Sequence, residues 1–206
     1  MHSIKGGVMA KAETETADHG QTFGTEGITP MERPSAVTRF FMGIVNWAEK
    51  LNLKYAIHGN PPVYDNATFP WSKEIEAAAP EIRAELDKVL LRQAELPSFQ
   101  DISTDVKTIS DDNHWKTFFL LGYGLKSEQN IKTCPKTWEA MQKIPGLTTV
   151  MFSIFEPGKH LPAHRGPYNG VLRLHLGMIV PEAEPDQLAI RVKDQICHWE
   201  EGKVLI

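Results

Sequence analysis

Residues 152–179 hold the side chains whose types and spacing most favour chemistry, in the run FSIFEPGKHLPAHRGPYNGVLRLHLGMI. His164 lies in a turn framed by proline and glycine, and a predicted strand then places Arg173 and His175 at alternate positions between leucines. Because successive side chains of a strand point to opposite faces, one face would be apolar and the other would carry a guanidinium and an imidazole. This pattern indicates a site for a metal and an anion.

A solvent-facing strand is the alternative explanation of the same residues. Antiparallel sheets often have one wet face, and Arg173 and His175 would be ordinary surface residues on it. A single histidine is also more often structural than a metal ligand, so the spacing alone leaves both interpretations open.

Several ordered motifs resemble one family. The segments KTCPKTWEAM, PGKHLPAHRGP, LRLHLGMIVP and HWEEGKVLI follow one another between about Pro61 and Ile206, and they resemble the aspartyl/asparaginyl β-hydroxylases. A bacterial lipid A acyl-chain hydroxylase shares the pattern. The resemblance implies an oxygenase that uses iron(II), 2-oxoglutarate and O2. It also implies an α+β protein with a double-stranded β-helix, the jelly roll of the cupin type.

The resemblance assigns a role to each of four residues. His164 matches the first iron ligand of the family, and His175 and Ser153 match contacts to 2-oxoglutarate. Arg173 matches a residue that orients an acidic substrate group, which suits the two-pronged geometry of guanidinium–carboxylate pairs.

Gly166 bears on the substrate. In most oxygenases of this type a carboxylate completes a two-histidine, one-carboxylate triad, and it stands two residues after the first histidine, where this chain has Gly166. The protein-hydroxylating branch of the family also has glycine there, whereas the lipid-hydroxylating branch has aspartate. The resemblance therefore favours the β-carbon of Asp or Asn in a peptide or protein. The alternatives are a fatty acyl chain of the lipid A type or a small amino acid.

The second iron-binding histidine and the main 2-oxoglutarate-binding arginine of the family follow the GKVLI motif, where this sequence stops at Ile206. We therefore expect a truncated gene or a fragment, with the function belonging to the complete protein.

His198 precedes WEEG, where the family has no ligand, and we interpret it as an exposed residue. A catalytically inactive cupin-like binding module is the rival from another class. A zinc hydrolase is disfavoured because no HExxH or cysteine-pair motif is present.

The composition indicates an ordinary folded domain. Of 206 residues, 41% are hydrophobic and 23% charged, and the net charge of −4 provides no electrostatic footprint for nucleic acid. Two cysteines suit a reducing compartment, so we expect a cytoplasmic protein and a structural rather than nucleophilic Cys134. The sequence shows neither a signal peptide nor an apolar run long enough to span a membrane. It does not indicate an oligomeric state.

Three regions are expected along the chain: a disordered segment over 1–33, an amphipathic helix over 34–60 and the hydroxylase-like domain over 61–206. The apolar residues of the helix recur at helical spacing. We favour packing of that stripe on the core, and the alternative is an interfacial helix that touches a membrane or a partner.

Within the domain, Pro80 should begin a fresh helix, another helix is expected over 135–144, and a buried strand over 114–125. Further strands are predicted over 148–156, 170–180, 188–193 and 203–206. Tyr168 and Asn169, in the turn after His164, are candidate substrate contacts, although turn geometry alone would explain an asparagine there.

Overall fold

The computed structural model describes residues 36–102, 109–166, 169–184 and 187–206. The predicted disordered segment 1–33 and Tyr168 lie outside these residues. The chain divides into two compact units, 1–42 and 43–206, and the account below concerns the second unit unless stated. Among the described residues, no helix is both long and apolar enough to cross a membrane.

Helices precede most of the strands, as the α+β prediction requires. The α-helices are α1 (Ala36–Lys54), α2 (Ser72–Ala77), α3 (Ala79–Leu90), α4 (Phe99–Ile102), α5 (Glu128–Thr133) and α6 (Pro135–Met141). The strands are β1 (Trp115–Gly122), β2 (Leu125–Lys126), β3 (Thr149–Phe155), β4 (His175–Leu176), β5 (Ile190–Val192), β6 (Gln195–Cys197) and β7 (Val204–Leu205).

The break between α2 and α3 falls where Pro80 predicts it. Pro80 occupies the first turn of α3, where a missing N–H breaks no intrahelical hydrogen bond. From there Ile82, Leu86 and Val89 recur at helical spacing and are all buried. The sequence pattern therefore predicted both the start of α3 and the face that it buries.

A buried carboxylate joins α3 to α6. Glu85 accepts hydrogen bonds from the backbone N–H groups of Lys136 and Thr137, both at 2.8 Å, and from the Thr137 hydroxyl at 2.7 Å. These N–H groups lie in the first turn of α6 and have no partner within the helix, so an anion is favoured there. Burial, together with the charge of Glu85, raises the pKa of the neighbouring Cys134 thiol to about 11, which keeps that thiol protonated.

The main sheet has the strand order β2-β1-β3, and all of its pairings are antiparallel. The β1–β3 ladder runs from Trp115 opposite Phe155 to Gly122 opposite Thr149. Leu120, Val150 and Phe152 are part of the hydrophobic core. The strand predicted over 148–156 is confirmed over nearly its whole length. The strand predicted over 114–125 is confirmed as far as Gly122, where left-handed φ angles at Tyr123 and Gly124 turn the chain into β2.

Where the second half of the domain is described, its strands are short. The pairs are β4 with β7 and β5 with β6, both antiparallel. The strand predicted over 170–180 was wrong for most of its length: only His175 and Leu176 pair as a strand. Gly170 has a left-handed φ of +92°, which interrupts an extended chain, and residues 171–174 pair with no neighbouring strand in the described chain. The double-stranded β-helix therefore stays a prediction, while the α+β class with small antiparallel sheets is shown.

Within the second unit, the apolar stripe on α1 does not pack on the core at two of its large side chains. Ile44 and Trp47 are 45% and 63% exposed. The packing that we favoured from the sequence was therefore wrong for these two residues. A helical apolar pattern shows which side chains share a face, but it does not show whether another element covers that face.

Candidate functional site

His164 lies in an irregular loop and its ring is exposed. The Nδ1 atom is 3.0 Å from the carbonyl oxygen of Pro162. A carbonyl can only accept, so this contact places the imidazole proton on Nδ1 and leaves the Nε2 lone pair facing outward. A carbonyl partner on one nitrogen is how proteins commonly orient a metal-binding histidine, so His164 suits the role of a single metal ligand.

One end of the His164 loop is tied down by a buried lysine. The side chain of Lys159 is only 4% exposed, and its Nζ lies 2.9 Å from Asp112 Oδ1 and 2.8 Å from Ser110 Oγ. Hydrogen bonds from Lys159 and from the backbone N–H of His114 lower the pKa of Asp112. The loop therefore starts from a lysine that is shielded from water and paired with a carboxylate that is 44% exposed.

The other end of the loop is bonded to α1. Arg165 pairs with the Glu49 carboxylate, and this hydrogen bond lowers the pKa of Glu49. Asn169 Nδ2 donates to the Glu49 backbone carbonyl at 3.2 Å, and Asn52 Nδ2 lies 3.4 Å from Asn169 Oδ1. The Asn169 side chain thus has two helix partners, and its place in the turn needs no substrate contact to explain it.

His175, at the start of β4, is half-buried and pairs with a tryptophan. Trp199 Nε1 donates to His175 Nδ1 at 3.1 Å, and the two ring planes are within 5° of parallel. Nδ1 must therefore be unprotonated, and the imidazole proton is on Nε2. Burial, and secondarily the charge of Arg173, lowers the pKa of His175 to about 4. His175 is consequently neutral near pH 7 and presents one N–H donor, which suits it to bind a carboxylate.

Ser153 in β3 has a similar arrangement. Trp115 Nε1 donates to Ser153 Oγ at 2.9 Å, which fills one acceptor position and leaves the hydroxyl proton free to point elsewhere. Opposite Ser153 on β1 lies Thr117, which is fully buried and whose hydroxyl has no hydrogen-bond partner among the described residues. Each of the two residues predicted to contact 2-oxoglutarate is therefore oriented by an indole N–H.

A close backbone crossing sets the position of His175 relative to Trp199. Gly177 N donates to the Lys203 carbonyl at 3.0 Å, and Gly202 N donates to the Gly177 carbonyl at 2.8 Å. A Cβ atom on Gly177 would overlap the carbonyl oxygen of Glu200 and lie 2.9 Å from its carbonyl carbon. Only glycine fits this crossing without a backbone shift.

Side chains of the helical layer hold this crossing against the core. Arg83 Nη1 donates to the Met178 carbonyl at 2.7 Å, and the Val204 N–H donates to Glu76 Oε1 at 3.0 Å. Asn66 Nδ2 donates to the Val204 carbonyl at 2.7 Å. The position of the His175 segment thus depends on polar contacts from residues about 100 or more positions earlier in the chain.

The four predicted site residues lie on separate supports. His164 is in the loop, Ser153 is in the main sheet, His175 is in β4, and Arg173 is exposed in the irregular segment before it. No hydrogen bond joins any two of the four. Sequence reasoning missed Trp199 as the partner of His175. The motif HWEEGKVLI contained this residue, but its spacing says nothing about a contact to a residue 24 positions away.

The described residues do not by themselves form a complete iron site. They contain no group of three His, Cys, Asp or Glu side chains placed to hold a metal, and most oxygenase iron sites of this kind use two histidines and a carboxylate. His164 contributes one imidazole. His198, which sequence analysis set aside, is exposed and has Nδ1 3.2 Å from the Leu188 carbonyl oxygen.

Comparison with known proteins identifies the family. The family model of aspartyl/asparaginyl beta-hydroxylase matches residues 76–206. The chain belongs to this family. The resemblance in the ordered motifs is thereby confirmed, and with it the prediction of a hydroxylase-family enzyme. The family is typically dependent on iron(II) and 2-oxoglutarate.

Individual relatives differ greatly in how much of the chain they match. The ornithine lipid ester-linked acyl 2-hydroxylase of Rhizobium tropici is 79% identical over 186 residues, which cover 90% of this chain and 66% of that protein. The human aspartyl/asparaginyl beta-hydroxylase is 35% identical over 105 residues, which cover 48% of this chain and 14% of that protein. The chain therefore spans less than two thirds of the length of these relatives.

Proposed function

We propose that this chain contributes to an acyl-chain hydroxylase whose substrate is a membrane lipid with an ornithine-type head group, modified at carbon 2 of an ester-linked acyl chain. The observation that carries the proposal is the 79% identity over 90% of the chain to a hydroxylase of that lipid. An alignment of 186 of 206 residues must also include α1, which precedes the segment matched by the family model. The similarity thus extends beyond the features common to the family.

The comparisons favour the acyl-chain alternative over the peptide substrate that we preferred from Gly166. The protein-hydroxylating relative is 35% identical and matches about half of the chain. Gly166 concerns the position of a metal ligand, whereas the substrate is selected by residues that line its approach. One residue beside the metal therefore does not decide between a peptide and an acyl chain.

The four site residues take roles that their geometry supports. In this proposal His164 would hold iron through Nε2, and the iron would supply the activation of O2. The Nε2–H of His175 and the hydroxyl of Ser153 donate to 2-oxoglutarate, each held in that orientation by an indole. Arg173, which is exposed, binds an anionic group of the lipid head such as the ornithine carboxylate.

The test is hydroxylation by the full-length protein with iron(II), 2-oxoglutarate and O2. Ornithine lipid dispersed in detergent and an Asp-containing peptide are offered separately, and mass spectrometry after ester hydrolysis locates any added oxygen atom. We expect oxygen on the released 2-hydroxy fatty acid and none on the peptide. Hydroxylation of the peptide alone, or of neither, would contradict the proposal.

His164→Ala tests the site itself. Loss of a metal ligand should lower turnover at least about 100-fold. The matched control is His160→Ala, four residues earlier in the same loop and also exposed, which should retain turnover within about twofold. Undiminished turnover by the His164→Ala variant would show that His164 is not a metal ligand of the site.

A further inference from the structure

A patch of exposed apolar side chains covers α1 from Gly43 onward and the turn that follows it. Ile44 and Trp47 are 45% and 63% exposed, and Tyr55 and Ile57 beyond the helix are 69% and 92% exposed. Large apolar side chains concentrated in a short segment are uncommon on a protein surface unless they bind something. We call residues 43–57 the apolar ramp.

The charges beside the apolar ramp are positive. Lys50 and Lys54 are exposed, and Lys54 Nζ lies 5.3 Å from the centre of the Tyr55 ring. Glu49 is the sole acidic residue in the sequence of α1, and its charge is paired with Arg165. Helices that lie in a membrane interface typically combine aliphatic residues with Trp, Tyr and Lys at the border of the apolar face. Anionic lipid would complement the two lysines.

The opposite flank of the helix is bonded to the candidate site. With about 100° between successive helical residues, Glu49 and Asn52 point away from Trp47. These two residues hold the loop of His164 through Arg165 and Asn169. A surface resting on the apolar side of α1 would therefore leave these bonds intact and lie beside the His164 loop.

We propose that the apolar ramp is a docking surface for the face of a lipid bilayer that contains anionic lipid. The inference rests on the proposed function, because an acyl chain esterified to a membrane lipid must be drawn from a bilayer. Docking through α1 brings the His164 loop to the bilayer from which that chain leaves. Ile44, Trp47 and Ile57 enter the apolar boundary, and Lys50 and Lys54 contact the head groups.

The first test is co-sedimentation of the full-length protein with vesicles, with no turnover required. The vesicles are phosphatidylcholine alone and phosphatidylcholine mixed with phosphatidylglycerol. The double variant Ile44→Ser/Trp47→Ser should bind both at least about tenfold more weakly, since two large side chains no longer enter the bilayer. The matched control is Leu91→Ser/Leu125→Ser, whose leucines are 85% and 81% exposed elsewhere, and it should bind like the unchanged protein.

The second test addresses charge. Lys50→Glu/Lys54→Glu should remove most of the preference for anionic vesicles, an effect of about tenfold or more for a change of four charges. The control is Lys73→Glu/Lys132→Glu, which changes two exposed lysines of α2 and α5 by the same amount. If both pairs lower binding equally, the net charge and not the apolar ramp governs binding, and the proposal is overturned.

Other outcomes also decide the matter. Failure of the unchanged protein to sediment with either vesicle overturns the proposal, and so does equal binding by the serine variant and its control. Light scattering could show that Ile44→Ser/Trp47→Ser converts a dimer to a monomer while vesicle binding is absent. The apolar ramp would then be an interface between two copies of this chain, and the proposal would be overturned. Circular dichroism checks that each variant is folded.

Turnover separates this inference from the proposed function. Vesicle binding with no hydroxylation of detergent-dispersed ornithine lipid would contradict the function and leave the docking surface standing. Hydroxylation of detergent-dispersed lipid without vesicle binding would contradict the docking surface and leave the proposed function standing. If both hold, Ile44→Ser/Trp47→Ser should hydroxylate detergent-dispersed lipid normally and vesicle lipid at least about tenfold more slowly.

Discussion

The two halves of the hydroxylase domain are built in different ways. Residues 72–156 combine helices with a long antiparallel ladder, and most of the hydrophobic core lies there. The described residues of 157–206 contain strands of two or three residues and many exposed side chains. Their positions depend on a glycine crossing and on side-chain bonds from the first half. The first half therefore supplies most of the stability, while the second carries three of the four proposed site residues in segments that a few polar contacts hold in place.

The largest expected effect on stability comes from Gly177→Ala, which tests whether residues 157–206 depend on the close backbone crossing at Gly177. The added methyl group would overlap the Glu200 backbone, and the cost should be roughly 3 kcal/mol of unfolding free energy. Hydrogen exchange should show lost protection over 175–206 and retained protection over 115–155. The control is Gly43→Ala, which meets no atom within 4 Å and should be neutral or stabilising by up to about 1 kcal/mol. Equal loss of protection in both halves would contradict the comparison.

Glu85→Ala probes the helical half. It leaves two backbone N–H groups and the Thr137 hydroxyl without their buried acceptor, so we expect a loss of about 2 kcal/mol in urea unfolding. Glu81→Ala, an exposed position on the same helix, should change stability by less than about 0.5 kcal/mol. Similar values for the two variants would show that the α6 contact contributes little.

The hydrogen-bonded pair of His175 and Trp199 predicts that the stability contributed by residues 157–206 depends on pH. The folded pKa of His175 is about 4, below its ordinary 6.5, so the unfolded chain takes up the proton first as the pH falls. Stability should be fully retained above pH 6.5 and decline toward pH 4, by roughly 1 to 2 kcal/mol for a partly exposed group. His175→Gln should lose this component of the decline. His198→Gln, an exposed control, should keep it.

Trp199→Phe sharpens the same point. Without the indole donor, His175 Nδ1 can accept a proton more easily, so the His175 pKa should rise and both ring tautomers should be populated. Nitrogen NMR of the labelled imidazole measures both quantities directly. An unchanged tautomer and pKa would mean that burial alone determines the state of His175.

The smallest effect is expected at the exposed end of the His164 loop. Arg165→Gln removes the pair with Glu49, and the midpoint of urea unfolding should hardly change because Arg165 is largely exposed. Hydrogen exchange of residues 161–166 should nevertheless increase relative to the rest of the domain. Arg92→Gln, which removes an exposed pair with Glu95 far along the chain, should leave that segment unchanged.

Much of the first half could be predicted from the sequence because local rules govern it. Pro80 started α3 as expected, and the apolar spacing of Ile82, Leu86 and Val89 identified its buried face. The two long strands were found because aromatic and β-branched residues favour extended chain. The predicted strand over 170–180 was mostly wrong because a strand also needs a neighbouring strand, and only His175 and Leu176 pair with one in the described chain.

The family, the order of its motifs and the residues of α1 that share an apolar face could all be read from the amino-acid sequence. The tertiary structure decided which proton each site group offers, since the partners of His175 and Ser153 are 24 and 38 positions away. It also left Ile44 and Trp47 of the α1 stripe exposed instead of packed on the core. Local spacing is set by bond geometry along the chain, whereas hydrogen-bond partners and burial depend on which distant segments meet.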